Sequence, residues 1–224
     1  MNRSFPSLYA ILSADLLLTS ESGHVEEFAG MLAKAGVGII QYRNKYASPR
    51  ALFEVSARIS RALVGNSIRF IVNDRPDIAR LAGADGVHVG QEDLSVEEAR
   101  AVCQESIPQR AGAAEKFWVG VSTHTLEQVR EAAATSADYI AIGPIFATTT
   151  KQRHDAIVGT DFIRQARQLT TKPLVAIGGI TVASAEEVFR AGADCIAVAR
   201  DLICAPDPAA RAAEYLAIAR LCRM

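Results

Sequence analysis

"RLAGADGVHVGQ", residues 80–91, decides the fold. It reads as the tail of a helix, a stop at Gly83, and a short apolar strand from Gly86. The same phrase recurs as "AKAGVGIIQYR" (33–43), "AAATSADYIAIGP" (132–144) and "VFRAGADCIAVAR" (188–200), with strands beginning near Val37, Gly86, Tyr139 and Cys195. The copies lie roughly 50 residues apart, too long for one strand–helix unit and right for two. Four further strands should fall between them, and "LYAIL" (8–12), "RFIV" (69–72), "FWVGVS" (117–122) and "PLVAIGG" (173–179) supply them. Helical patterns fill the gaps. Ser48-Pro49 starts one, and Ser95-x-x-Glu98 and Thr125-x-x-Gln128 read as capping boxes. Eight strands alternating with eight helices predict an α/β fold closed into one (β/α)₈ TIM barrel spanning residues 1–224. An open doubly wound sheet is the rival, but no G-x-G-x-x-G follows the first strand. Residues 104–116 read as a helix end and a surface loop.

The chain has 224 residues, 24 basic against 25 acidic, with half of them hydrophobic. That balance argues against nucleic acid or an anionic membrane as partner. Any anion site must be local. Cys103, Cys195, Cys204 and Cys222 show no metal or disulfide spacing and suit a reducing, cytoplasmic compartment, with Cys195 a small core residue. "LYAILSADLLL" is interrupted by Asp15 and lacks a cleavage site, so it is not expected to be a leader. A homo-oligomer is left open.

In such barrels the active site lies at the carboxyl ends of the strands. The second strand ends "GIIQYRNK", where Gln41, Arg43 and Lys45 alternate and so share a face. Three long polar groups in step make a cationic claw at the mouth. The third strand delivers Asn73 and Asp74, which could otherwise begin the next helix. The fourth delivers His88, Gln91 and Asp93, with Asp93 freed from capping by Ser95 and Glu98. Two carboxylates about 4 Å apart would repel by around 4 kcal/mol at an effective dielectric near 20. A hard divalent cation removes that cost, and Mg²⁺, which takes one or two carboxylates plus phosphate oxygens, fits the donors.

The fifth strand ends with Ser122 and His124. The sixth ends "GPIFATTTK", a turn, the hydroxyls of Thr148 to Thr150, and Lys151, suited to a phosphate and to a loop that closes. At the seventh strand Gly178 and Gly179 would let backbone approach a ligand closely. At the eighth stand Ala199 and Arg200. Two anion sites result, one with metal at strands 2 to 4 and one without at strands 7 and 8.

With "QYRNK", "VND", "GVHVGQEDL", "GVSTH", "GPIFATTTK" and "AIGGI" in order from about Tyr9 to Leu202, the chain resembles the thiamine-phosphate synthases. The resemblance implies an alkyl transferase of thiamine biosynthesis. It would join hydroxymethylpyrimidine diphosphate to a thiazole phosphate, or its carboxylated form, by dissociative loss of diphosphate. It implies Mg²⁺ on Asp74 and Asp93. Arg43, Lys45, Asn73 and Lys151 would bind diphosphate, and Gln41, His88 and Ser122 would surround the pyrimidine or its leaving group. Thr148, Thr150, Gly178 and Gly179 would meet the thiazole phosphate or the departing diphosphate, with Ala199 and Arg200 on the thiazole phosphate side. Arg43, Lys45, Ser122 and Lys151 would act in catalysis. Asn44, Ala147 and Arg200 depart from the family's usual glutamate, proline and small residue. A sister family of thiazole tautomerases, another phosphate-binding isomerase and a non-catalytic ligand sensor are the rivals. The tautomerases are expected to lack the metal carboxylates and the complete Thr-x-Thr-Lys loop present here.

Overall fold

A computed structural model describes residues 5–17, 25–103, 116–148 and 156–223. Its strands are β1 (Leu8–Ser13), β2 (Ile39–Arg43), β3 (Arg69–Asn73), β4 (Gly86–Val89), β5 (Trp118–Thr123), β6 (Tyr139–Ile142), β7 (Leu174–Ile177) and β8 (Cys195–Val198). They run parallel in chain order and close, β8 pairing with β1 through Leu8 opposite Ile196. The helices are α1 (Ala14–Leu17), α2 (Val25–Lys34), α3 (Pro49–Ala62), α4 (Pro76–Leu81), α5 (Val96–Cys103) and α6 (Leu126–Ala134). After them come α7 (Gly159–Leu169), α8 (Val182–Arg190), α9 (Arg200–Ile203) and α10 (Pro208–Arg223). All eight expected strands are present, and only their edges shift. The second begins at Ile39 rather than near Val37, and the seventh stops at Ile177, which leaves Gly178 and Gly179 in the loop. Among the described residues no helix is long and apolar enough to cross a membrane.

Strand alternation sorts the core into two shells. Ala10, Leu12, Ile40, Tyr42, Val72 and Val87 pack outward against the helices. Tyr9, Ile11, Ile39, Ile71, Tyr139, Val175 and Cys195 fill the barrel interior. The fully buried Cys195 bears out its reading as a core residue. Phe5 enters from below and stacks on Trp118 at 5.1 Å between centroids, while the Arg69 guanidinium lies 4.3 Å from the indole centroid.

The repeated phrase has a physical reason at this floor. Asp85, Asp138 and Asp194 each immediately precede an even-numbered strand. Each carboxylate accepts an N–H at the start of the preceding odd strand, from Phe70 at 2.7 Å, Val119 at 2.8 Å and Leu174 at 2.9 Å. The same aspartate's N–H returns a bond to that residue's carbonyl. Gly38 takes this place in the first copy without a carboxylate, and the Arg69 N–H donates to its carbonyl as the Trp118 N–H does to that of Asp85.

Burial alone would raise the Asp138 carboxyl. Lys116 at 2.5 Å, the Val119 N–H and Arg100 at 2.7 Å outweigh it and hold the group below the ordinary carboxylate range. A carboxyl depressed by folding contributes stability that is complete above its unfolded pKa, about 4, and is lost as pH falls through its folded value. Asp138→Asn should therefore melt below the parent at neutral pH, with the gap narrowing in acid. Melting curves across that range check this, and a constant gap would count against it.

Candidate active site

Ile39, Gln41 and Arg43 share the inward face of β2, as alternation predicts. Gln41 is 3% exposed, Arg43 half-buried, and Lys45 stands just past the strand on a turn. That turn is shaped by Asn44, whose Oδ1 accepts the N–H groups of Tyr46 and Ala47 at 3.1 and 3.0 Å. The departure at Asn44 thus serves the local backbone, fixing the loop that carries Lys45.

Lys45 Nζ lies 3.1 Å from Asp74 Oδ2. Asp74 is the one non-glycine described residue with positive φ, at 62°, and its N–H donates to the His88 carbonyl at 2.8 Å. Such backbone costs on the order of 1 kcal/mol and gathers at functional sites. Neither Asn73 nor Asp74 caps α4. Arg75 occupies that position and forks onto Asp77 at 2.9 and 2.6 Å. These residues are therefore not a mere helix start, and the half-buried Asn73 closes β3 beside the claw.

Asp93 proves to have a structural role after all. Ser95 and Glu98 form the expected box, but Asp93 Oδ2 accepts the Gly90 N–H at 2.7 Å and closes the turn after β4. Its carboxyl also faces Asp74. Burial, then hydrogen bonding to and repulsion from Asp93, raise the Asp74 carboxyl, against the pull of Lys45. Two adjacent carboxylates beside Lys45, with no His or Cys grouped with them among the described residues, are a donor set that a hard divalent cation such as Mg²⁺ would fit. Among the described residues no group of three or more His, Cys, Asp or Glu side chains is gathered here or elsewhere.

Deeper in the barrel a hydrogen-bonded chain crosses five strands. Gln41 Nε2 donates to the Tyr9 hydroxyl at 2.7 Å, which meets the Tyr139 hydroxyl at 3.0 Å. Tyr139 reaches His88 Nδ1 at 3.1 Å, and His88 Nε2 reaches Ser122 Oγ at 2.9 Å. The His88 ring stacks on Tyr139 with centroids 5.6 Å apart. Burial drives both phenols far above their ordinary pKa, so they stay protonated and fix the directions of Gln41 and His88. Gln41, His88 and Ser122 are thus brought together as expected. Tyr9 and Tyr139 are not recognisable as site residues in the sequence, because a tyrosine in an apolar strand looks like core.

A cleft of about 650 Å³ opens over the other side of the mouth. Arg43, Thr148, Gly178, Gly179, Ala199 and Arg200 line it together with Ser13, Phe146, Ile177 and Thr181. Thr150 and Lys151 lie outside the described residues, as does most of the 104–116 loop. The paired glycines line the cleft and also have a structural role. A Cβ on Gly178 would stand 2.6 Å from Pro144 Cα, and one on Gly179 would stand 2.3 Å from the Ala147 carbonyl. They make room for the loop after β6, whose Ile145 and Phe146 N–H groups donate to Ile177 and Gly178. At 102° and 64° their φ angles suit glycine as well.

The second capping box is displaced by one residue. Thr125 accepts the Gln128 N–H at 3.2 Å, but Gln128 Oε1 reaches back to the N–H of His124. His124 Nδ1 lies 2.6 Å from the Gly143 carbonyl, which ties the end of β5 to the loop after β6.

A family model described as thiamine monophosphate synthase matches residues 8–202. A thiamine-phosphate synthase of Koribacter versatilis is 45% identical over 214 residues, 95% of each chain. That of Chloroflexus aurantiacus is 41% identical over 183 residues, covering 82% of this chain and 80% of its own. The solved thiamine phosphate pyrophosphorylase from Pyrococcus furiosus superposes with a TM-score of 0.80 at 29% identity, covering 96% of both chains. The end-to-end match in sequence and in backbone agrees with the ordered motifs at the strand ends: the chain belongs to the thiamine monophosphate synthase family.

Proposed function

We propose that the protein is a Mg²⁺-dependent thiamine-phosphate synthase that joins hydroxymethylpyrimidine diphosphate to a thiazole phosphate, with release of diphosphate. The observation that carries this reading is the division of the mouth. A cationic and acidic half at β2 to β4 adjoins an apolar cleft at β6 to β8, with Arg43 reaching the cleft. One half suits a diphosphate and the other a small ring with its own phosphate. The names of the relatives favour the synthase over the tautomerase, and so does the Asp74–Asp93 pair.

Asp74 and Asp93 would hold Mg²⁺, which when bound neutralises charge on the diphosphate. Arg43 and Lys45 donate hydrogen bonds to the leaving oxygens as the carbon–oxygen bond breaks and its electron pair departs with diphosphate. Gln41, His88 and Ser122, fixed by the tyrosine chain, orient the pyrimidine-methyl cation. Its carbon then accepts the lone pair of the thiazole nitrogen, and alignment of the two fragments is the main contribution of the cleft. No protein base enters this scheme. Cys103, Cys195, Cys204 and Cys222 form no disulfide in the structure, which accords with the proposed cytoplasmic setting.

The test is thiamine phosphate formation from the two substrates with Mg²⁺ and with a chelator. Product should require the metal. Metal-independent product would overturn the carboxylate assignment, and no product from folded protein would overturn the synthase.

A further inference from the structure

Asp201 lines the same cleft as Arg200, Thr181 and the paired glycines. Its side chain is 23% exposed, and a bare carboxylate so near the cleft would oppose an anionic ligand. It is not left bare. Asp201 Oδ2 accepts the Arg211 Nη1 proton at 2.7 Å and the Tyr215 hydroxyl at 2.6 Å. Both donors come from α10, which packs outside the barrel against α8 and supplies no cleft lining. Tyr215 is 1% exposed, and its hydroxyl also lies 3.5 Å from the carbonyl of Ile180, on the loop after β7. One phenol therefore touches both arms of the cleft, the loop after β7 and the start of α9.

We infer that Arg211 and Tyr215 are positioning residues for the substrate anion: they hold the Asp201 carboxylate with its charge compensated, so that Arg200 governs the electrostatics of that rim. A partly exposed ion pair contributes little to stability. Its value lies in what it does to the neighbouring field. The inference rests on reading this cleft as the thiazole phosphate half.

Equilibrium binding of the thiazole phosphate, measured by calorimetry beside steady-state kinetics, tests it. Arg211→Gln and Tyr215→Phe should each weaken thiazole phosphate by roughly five- to tenfold, with kcat and the pyrimidine diphosphate KM changed by less than about twofold. Adding Asp201→Asn to Arg211→Gln should restore binding, because no unmasked charge remains. A purely structural role would lower both affinities together and would not be rescued. Unchanged binding, equal loss for both substrates, or failed rescue would each overturn the inference while leaving the synthase intact. A parent protein that binds no thiazole phosphate would overturn both.

Discussion

Asp93→Asn should leave a folded barrel whose synthase turnover has dropped by at least about a hundredfold. Asparagine is the informative replacement. Its Oδ1 can still accept the Gly90 N–H that Asp93 accepts at 2.7 Å, so the turn after β4 survives and only the charge is removed. What disappears is half of the carboxylate pair. With Asp93 neutral, the Asp74 carboxyl loses the neighbour that raises it and is left to pair with Lys45 at 3.1 Å. The cationic half then keeps Arg43 and Lys45 but holds the metal poorly. An unchanged melting temperature beside lost turnover, partly recovered at high Mg²⁺, is the expected pattern. Full activity at ordinary Mg²⁺ would remove Asp93 from the metal site.

Gly120→Ala should damage stability and catalysis together. A Cβ there would stand 2.0 Å from the Tyr139 ring and 2.4 Å from its hydroxyl oxygen, inside a packed barrel. Tyr139 has nowhere to retreat, since Phe5, Trp118 and His88 surround it. Overpacking of this kind costs about 3 kcal/mol or more, which for a domain of this size lowers the melting temperature by roughly 6–12 °C. Moving Tyr139 also breaks the chain from Gln41 to Ser122, so turnover in the surviving folded fraction should fall as well, by about tenfold or more. A variant that melts like the parent and turns over normally would show that the interior can yield around the phenol.

The strands are legible in the sequence because one phrase is written four times, and because each copy switches from a helical to an extended period at a small residue. The claw at Gln41, Arg43 and Lys45 is legible because alternation in a strand is geometry and needs no partner. The carboxylates are legible as a pair, though the second role of Asp93 is not: a bond from Gly90 three residues earlier has no distinctive spacing. Contacts across the barrel leave no local mark. Tyr9 and Tyr139 are 130 residues apart, and nothing near either one announces the other. The paired glycines, taken alone, suggest a ligand. A loop more than 30 residues earlier, around Pro144 to Ala147, is what their missing side chains admit. Asp201 likewise depends on partners from a helix outside the barrel.

Closure of β8 against β1 has a consequence for the chain as it is made. The seam pairs Leu8, Tyr9 and Ala10 with Ile196, Ala197 and Val198, and Arg223 then ties the carbonyls of Phe5 and Asp194 together. On the ribosome, the first strand emerges long before its second neighbour exists. Until β8 has been translated, β1 carries one open edge, and the interior tyrosines have no finished wall around them. Closure of the barrel therefore waits for nearly the whole polypeptide.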